Sequence, residues 1–281
     1  MSVQPHSPHA FRVRQSVPGV NRVIAVASGK GGVGKSTVTV NLALALSKIQ
    51  REGRLLRIGI LDGDIYGPSL VKMLNIQEKP EVTKDKKLVP VKAYDLSVMS
   101  IAMMVPEGAP TIWRGPMVQG ALLQLLFDVA WNASSNPEQN LDYLIVDLPP
   151  GTGDIHLTLA QQAMVDGAII VSTPQDIALI DARKGLSMFQ RVNIPILGIV
   201  ENMSHFDCPH CATRLHPFGE AGARHQAHLS NVPFLGAIPL HIDIREGGDA
   251  GRPAVLDHPQ IFKSYQSIAE KIQDAFHSSV L

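Results

Sequence analysis

Near its N-terminus the chain reads Ser28-Gly29-Lys30-Gly31-Gly32-Val33-Gly34-Lys35-Ser36-Thr37. This stretch satisfies the pattern G-x-x-x-x-G-K-[ST] of a phosphate-binding P-loop, and it lies between an apolar run and a helix-forming run, as the motif requires. Glycines let backbone N–H groups turn toward phosphate oxygens, and the helix that follows adds partial positive charge at its N-terminus. We therefore predict that Lys35 binds the β- and γ-phosphates of a nucleotide and that Ser36 ligates Mg²⁺.

Short apolar runs alternate with longer amphipathic ones on the C-terminal side of this loop. The apolar runs are rich in β-branched residues and lack polar alternation, which predicts strands buried on both faces of a parallel sheet. The candidate strands are residues 23–27, 57–61, 96–101, 143–148, 168–172, 196–200 and 233–238, and the candidate helices are residues 35–50, 117–130, 154–164, 177–191, 220–229 and 260–276. We expect an α/β fold, a single three-layer domain with a mostly parallel central sheet and helices on both faces.

The domain is expected to span residues 22–281, because no stretch within it is long enough to act as a linker. Residues 1–21 contain arginine, serine, histidine and proline but no acidic residue. Their prolines oppose a continuous amphipathic helix, so we predict a flexible N-terminal arm. A targeting peptide is the alternative interpretation of this segment.

The overall charge excludes some classes of partner. The chain has 25 Lys+Arg and 25 Asp+Glu, and this zero formal charge argues against binding nucleic acid or anionic lipid with the whole surface. No apolar run approaches the roughly 18 residues of a membrane span, so stable membrane insertion is not expected. Two cysteines are too few for a disulfide framework, which indicates an intracellular protein.

The P-loop contains a second lysine, Lys30, one residue after its first glycine. This G-K-G-G-x-G-K-[ST] form resembles the deviant Walker A motif of the P-loop ATPases that include MinD, Mrp and nitrogenase reductase. The resemblance implies that residues 29–37 bind ATP and that Lys30 crosses a dimer interface to the nucleotide of the partner subunit. There its positive charge would stabilise the negative charge that develops during hydrolysis, as an arginine finger does.

Acidic residues follow two of the predicted strands. Asp62 and Asp64 come after the second strand, and Asp147 ends the fourth. Because ligands of open α/β sheets bind beyond the carboxyl ends of the strands, we expect these carboxylates to face the phosphates. An acidic residue at the end of an apolar strand is the Walker B pattern, which places Asp147 in the Mg²⁺ shell. The resemblance further implies that Asp64 orients the attacking water and that Asp62 belongs to the metal sphere.

Asn202 follows the sixth predicted strand. An asparagine amide offers both a donor and an acceptor, which suits the edge of adenine, and the resemblance implies this role. An ordinary loop asparagine explains the residue almost as well.

Both cysteines lie in one motif, Cys208-Pro-His-Cys211, shortly after Asn202. A C-x-x-C motif alone is ambiguous among redox, zinc and iron–sulfur roles, although a thioredoxin-type motif should begin a helix after the first strand of its fold. Zinc would need two further ligands from His205, His210 and His216. A [4Fe-4S] cluster prefers four thiolates, which two chains related by a two-fold axis would supply.

The complete set of motifs resembles the Mrp/ApbC-type iron–sulfur cluster carriers over residues 19 to about 259. The resemblance rests on the P-loop, the cysteine motif and four further motifs: D-G-D-I-Y-G-P-S at 62–69, W-R-G-P-M at 113–117, D-L-P-P-G-T-G-D at 147–154 and S-T-P-Q-D at 172–176. The stretch A-L-I-D-A-R-K-G at 178–185 makes the chain most similar to the mitochondrial branch that serves respiratory complex I assembly.

This resemblance implies a homodimer that binds ATP and Mg²⁺, hydrolyses ATP slowly, and assembles or transfers a [4Fe-4S] cluster shared between two subunits. Cys208 and Cys211 of each subunit would ligate the cluster, and apo iron–sulfur proteins such as complex I subunits would receive it. The implied location is the mitochondrial matrix, with the cytoplasm as the alternative. The alternative function is a MinD/ParA-like positioning ATPase with a structural zinc site at the C-x-x-C motif.

Overall fold

The apolar runs of the sequence form the strands of one central sheet in the computed structural model, which describes residues 14–65, 67–104, 115–132 and 136–277. The strands are β1 (Val20–Ala27), β2 (Gln50–Arg51), β3 (Arg54–Leu55), β4 (Ile58–Asp62), β5 (Val91–Ala93), β6 (Leu96–Ser100), β7 (Leu141–Asp147), β8 (Gly167–Ser172), β9 (Ile196–Glu201), β10 (Phe206–Asp207), β11 (Arg214–Leu215) and β12 (Phe234–Ala237). The α-helices are α1 (Lys35–Ser47), α2 (Leu70–Met73), α3 (Gly115–Phe127), α4 (Asp154–Gln162), α5 (Asp176–Arg191), α6 (Gly222–Leu229), α7 (Ile242–Asp249) and α8 (Pro259–His277).

The central sheet has the strand order β12-β9-β8-β1-β7-β4-β6-β5. All neighbouring pairs are parallel except β5 and β6, which are antiparallel at one edge. Strand β1, which leads into the P-loop, lies between β8 and β7 at the centre. Asp62 and Asp147 are register partners at the ends of β4 and β7, so the sheet itself brings these two carboxylates together beside the P-loop.

Two apolar clusters cover the two faces of the sheet. One contains buried side chains of α1 and α8, and the other contains buried side chains of α3, α4 and α5. Helix α1 is buried along nearly its whole length because α8 covers the side that the sheet does not. This arrangement confirms the expected three-layer α/β fold. No helix in the described ranges has the length and apolar character that a membrane crossing needs.

All seven predicted strands are present. The end of the first predicted helix was wrong, however, and helix α7 was not predicted. The first predicted helix, 35–50, ends at Ser47, because Gln50 begins a small hairpin with β3 through a turn at Glu52 and Gly53, both with positive φ. Helix α7 was not predicted from the sequence. Its Gly247-Gly248 pair has poor helix propensity, and none of its side chains is fully buried.

The folded domain begins before the expected boundary at residue 22. Val17 is buried, and the backbone of Gln15 pairs with Gln162 and Met164 at the end of α4. The described part of the expected flexible arm is therefore anchored to the domain, because it provides an apolar side chain and satisfies backbone groups at a helix end. Residues 1–13 of that arm lie outside the described residues.

Tyr265 of α8 provides a stability test of this packing. Its side chain is fully buried, its hydroxyl has no hydrogen-bond partner among the described residues, and burial raises its pKa. Because an unpaired buried polar group costs about 1–3 kcal/mol, Tyr265→Phe should raise the free energy of unfolding by about 1 kcal/mol in urea denaturation. The comparison variant Ile272→Ala should instead lower it by about 2–5 kcal/mol, because it leaves a cavity in the same layer. A clear loss of stability in Tyr265→Phe would show that the hydroxyl has a partner.

Candidate functional site

The P-loop connects the end of β1 to the start of α1, and its glycines are required by conformation and packing. Gly32 and Gly34 have φ values of 81° and 78°, in the left-handed region that disfavours other residues. A Cβ atom at Gly34 would lie 2.2 Å from Asn202 Nδ2. The loop therefore needs glycine at 34 both for its turn and for the close approach of Asn202.

The fully buried carboxylate of Asp147 is the centre of the site. Its Oδ1 lies 2.8 Å from Lys35 Nζ and accepts a hydrogen bond from Thr39 Oγ1 at 2.8 Å, and its Oδ2 accepts one from Ser36 Oγ at 2.5 Å. Three side chains near the start of α1 thus point at the end of β7. Thr39 was not among the predicted site residues, although its position four residues after Lys35 places it on the same helix face.

The two acidic residues after β4 have different surroundings. Asp64 Oδ2 lies 3.8 Å from Lys35 Nζ. Asp62 is fully buried, and its carboxylate accepts hydrogen bonds from Ser100 Oγ at 3.0 Å and from the Asp64 backbone N–H at 3.2 Å. Burial, together with the negative charge of Asp147, raises the pKa of Asp62 to about 7. A divalent cation near the two strand ends would relieve this repulsion.

The residues at this edge fit a magnesium nucleotide. The hydroxyl of Ser36 and the carboxylates of Asp147, Asp62 and Asp64 are the oxygen donors that Mg²⁺ prefers. The P-loop glycines and the N-terminus of α1 supply backbone N–H groups for phosphate oxygens. Both parts of a phosphate-plus-metal site are therefore present at one edge of the sheet.

Lys30 lies at the outer side of the P-loop. Its Nζ is 3.4 Å from Gln175 Oε1, at the residue that precedes α5. Its predicted role across a dimer interface stays a prediction, because that role needs a second chain.

Asn202 lies against the P-loop at the end of β9. Its Nδ2 donates to the Val33 carbonyl at 2.8 Å, so this amide group is already used to hold the loop. A cavity of about 370 Å³ opens beside it, lined among others by Thr37, Met203 and Leu240. The cavity has the position expected for a nucleotide base, next to a phosphate-binding loop.

A second cavity, of about 460 Å³, lies on the other side of the phosphate site. Asp64, the Pro149-Pro150 pair and the first residues of α3 and α4 line it. His156 of α4 is one of these residues, is only 1% exposed, and has no hydrogen-bond partner for either ring nitrogen among the described residues. Burial lowers its pKa to about 4, so the imidazole is neutral at physiological pH. The sequence analysis did not identify it, because a lone histidine inside an apolar helix gives no distinctive pattern.

The two cysteines lie on a separate hairpin that leaves the same edge of the sheet. Strands β10 and β11 form it, and Asp207 and Arg214 pair across it at 2.9 and 3.0 Å. Cys208 is partly exposed, Cys211 is exposed, and neither is in a disulfide. The hydroxyl of Thr213, 3.2 Å from Cys211 Sγ, lowers the pKa of the Cys211 thiol. The hairpin therefore presents two accessible thiols at its tip.

The histidines around the hairpin do not form a metal site with these thiols. His205 Nδ1 lies 2.8 Å from Ser204 Oγ, and His216 Nδ1 lies 3.1 Å from the Ser204 carbonyl. Within the described part of the chain, no group of three or more histidine, cysteine, aspartate or glutamate side chains could hold a metal ion. The four-ligand zinc site considered from the sequence is therefore not assembled by one chain.

The predicted site residues thus fall into two groups. Lys35, Ser36, Asp62, Asp64 and Asp147 converge on the phosphate end of the P-loop, with Asn202 on its flank. Cys208 and Cys211 lie apart from them on the hairpin. Three further motif positions, residues 66, 113 and 114, lie outside the described residues.

Thr39 offers a test of this geometry. Thr39→Val removes one of the two hydrogen bonds that orient Asp147, and loss of such an outer-shell contact typically weakens metal binding about 10–100-fold. We expect Thr39→Val to weaken Mg²⁺-dependent binding of a fluorescent ATP analogue by about tenfold. Thr39→Ser, which retains the hydroxyl, should bind as the unchanged chain does. Equal affinity in all three proteins would show that Thr39 does not orient Asp147.

Several known proteins are similar to this chain in sequence or in structure. An iron–sulfur protein required for NADH dehydrogenase, mitochondrial, from Arabidopsis thaliana is 48% identical over 256 residues, which cover 90% of this chain and 78% of that protein. An iron–sulfur cluster carrier protein from Pseudomonas fragi is 49% identical over 270 residues, covering 94% of this chain and 89% of the relative. A nucleotide-binding protein from Archaeoglobus fulgidus, solved in complex with ADP, is 38% identical, with a TM-score of 0.71 over 85% of this chain and 89% of the other.

A sequence model of the ParA family, described as the NUBPL iron-transfer P-loop NTPase, matches residues 19–273. The match includes the P-loop, the carboxylates of β4 and β7, and the cysteine hairpin. The chain therefore belongs to the ParA-type P-loop NTPases, in the NUBPL iron-transfer family.

Proposed function

We propose that this chain is a homodimeric ATPase that carries a [4Fe-4S] cluster and transfers it to apo-proteins. The observation that carries the proposal is the accessible pair Cys208 and Cys211, on a hairpin of a chain that also has a P-loop. The iron–sulfur roles in the names of the Arabidopsis and Pseudomonas relatives support the same function.

In the proposed ATP complex, Lys35 releases Asp147 and binds the β- and γ-phosphates, while Ser36 and Asp147 hold Mg²⁺. When bound there, Mg²⁺ would supply positive charge against the phosphate oxygens. Asp64, beside Lys35, would orient the attacking water, and Asp62 would belong to the metal sphere. Lys30 leaves Gln175 and reaches the nucleotide of the partner subunit. The base occupies the cavity beside Asn202, whose Oδ1 is the amide atom left to accept from adenine.

The cluster is the cargo of this protein. Two thiolates from each subunit satisfy its preference for four, so one chain holds half of a site. Transfer exchanges each Cys208 or Cys211 thiolate on iron for a thiolate of the recipient, with no net oxidation or reduction. Because the thiols lie at an exposed hairpin tip, a recipient can approach them without unfolding the domain.

The names of the relatives support the proposed recipients and location. The Arabidopsis relative is named as mitochondrial and as required for NADH dehydrogenase, which supports a matrix location and complex I subunits as recipients. The bacterial relative supports the cytoplasm as the alternative location.

Helix α8 argues against the alternative function of a membrane-positioning ATPase. Such proteins bind membranes with an amphipathic terminal helix. Here the apolar stripe of α8, formed by Ile261, Tyr265, Ile268 and Ile272, is buried in the cluster that also contains α1. This stripe is therefore used to hold the domain together.

Substitutions of the two P-loop lysines should affect ATP binding and ATP hydrolysis differently. Lys35→Ala removes the phosphate contact and leaves Asp147 without its ammonium partner, so it should abolish ATP binding in a filter or fluorescence assay. Lys30→Ala should retain ATP affinity within about threefold, and its hydrolysis rate should fall about 10³-fold, as with loss of an arginine finger. Turnover that survives Lys30→Ala would contradict the role of Lys30 across the interface.

Anaerobic reconstitution with iron and sulfide tests the carrier function. We expect about four iron atoms per dimer and the broad absorbance of a [4Fe-4S] cluster. Both should be lost in Cys208→Ala and in Cys211→Ala, whereas Thr213→Val should retain them. Stoichiometric zinc that iron does not displace, or iron that remains in the cysteine variants, would contradict the proposal.

A further inference from the structure

The link between β9 and the cysteine hairpin is a short buried segment. Glu201, Asn202 and Ser204 are 3%, 5% and 4% exposed. Their side chains contact three different parts of the molecule: Glu201 Oε2 accepts from the Ala223 N–H at 2.7 Å, Asn202 Nδ2 donates to Val33, and Ser204 Oγ donates to the Ile238 carbonyl at 3.0 Å. One segment thus joins the P-loop, β12 and the start of α6.

Both ends of the hairpin are attached to Ser204. On the outgoing side, the single hydroxyl proton of Ser204 goes to Ile238, so His205 Nδ1–H donates to Ser204 Oγ at 2.8 Å. On the returning side, His216 Nδ1–H donates to the Ser204 carbonyl at 3.1 Å. The bond from Glu201 to Ala223 then fixes the start of α6, shortly after the hairpin. Contacts to Ser204 thus help to hold both ends of the hairpin, while its tip is exposed.

The same segment forms a wall of the cavity assigned to the base. Asn202, Met203 and Leu240 line this cavity, and the Leu240 N–H donates to the His205 carbonyl at 2.7 Å. Met203, between Asn202 and Ser204, has a φ of 57°, which a residue with a bulky side chain adopts only when its surroundings impose it. A base in the cavity would therefore touch residues that also hold the hairpin.

We infer that Ser204, with Glu201 and His216, is a positioning residue that couples the base cavity to the cysteine hairpin. A nucleotide that orders Asn202 and Leu240 also orders the hairpin base, so the cysteines become less mobile. By thermodynamic reciprocity, a cargo that orders the cysteines strengthens nucleotide binding by the same factor. This inference rests on the proposed function, because it concerns how the nucleotide site and the cysteine hairpin of that function are connected through Ser204.

Thiol alkylation of the cluster-free, reduced protein measures this coupling. Cys208 and Cys211 are the only cysteines of the chain, so all reaction with iodoacetamide reports on the hairpin. We expect saturating MgADP to slow alkylation about fivefold in the unchanged protein, at the lower end of typical coupling factors. The ratio of the alkylation rates without and with MgADP should be the same at two protein concentrations, because the contacts lie within one chain.

Ser204→Ala removes the hydroxyl contacts of the hairpin base and should reduce the MgADP effect to less than about twofold. His216→Ala, at a more exposed position, should reduce the MgADP effect in the same way. It is the variant to measure if Ser204→Ala does not fold. Thr213→Val is the matched control, since it removes a hydroxyl at the hairpin tip. It should change the basal rate of Cys211 but keep the fivefold MgADP ratio.

The inference would be overturned by the absence of any MgADP effect in the unchanged protein, or by the full effect in both Ser204→Ala and His216→Ala. A ratio that disappears on dilution would assign the effect to dimer formation and would also overturn it. None of these results concerns iron content. A protein that binds about four iron atoms per dimer but shows no coupling would retain the carrier function and lose only this inference.

Discussion

The buried contact between Lys35 and Asp147 is the constraint on which the rest of the site depends. An ammonium and a carboxylate can be buried only if they are paired and hydrogen-bonded, and removing one partner of such a pair typically costs about 3–5 kcal/mol. Here the pair joins the first turn of α1 to the end of β7, with Ser36 and Thr39 completing the carboxylate's partners. The pair fixes the P-loop over the centre of the sheet. In this position the Lys35 ammonium can exchange its contact with Asp147 for a contact with a phosphate.

The two sites of the molecule have opposite physical characters, and both characters serve the proposed function. The nucleotide site is buried and rich in charge, so its residues are pre-positioned for phosphate and metal. The cysteine hairpin is exposed at its tip and holds only two thiols, so in the proposed function it would bind a cluster without enclosing it. A buried site of four cysteines would retain a cluster, whereas a site divided between two chains opens when the chains separate or turn. The buried segment from Glu201 to Ser204 is where these two parts meet.

The strand order was not predicted from the sequence, whereas candidate site residues were, because P-loop, Walker B and C-x-x-C patterns are local. The seven apolar runs predicted seven strands of the sheet, since strands buried on both faces need continuous apolar residues. Helix α7 and edge strand β5 were missed because neither carries a clear apolar period. Thr39, His156 and Ser204 were also missed. Thr39 contacts Asp147, which lies 108 residues away, and Ser204 contacts Ile238 across 34 residues, while His156 is distinguished by burial that no local pattern encodes. Likewise, Gln15 and Val17 looked like part of an arm because their partners at the end of α4 are distant in sequence.

The central claim is that one cluster is shared between two chains, and native mass spectrometry of the reconstituted protein tests it most directly. The account predicts that the mass of a single [4Fe-4S] cluster appears on the dimer and is absent from the monomer. Mixed dimers with one Cys208→Ala, Cys211→Ala chain should carry no cluster. A complete cluster bound to a monomer, or retained by the mixed dimer, would contradict the account.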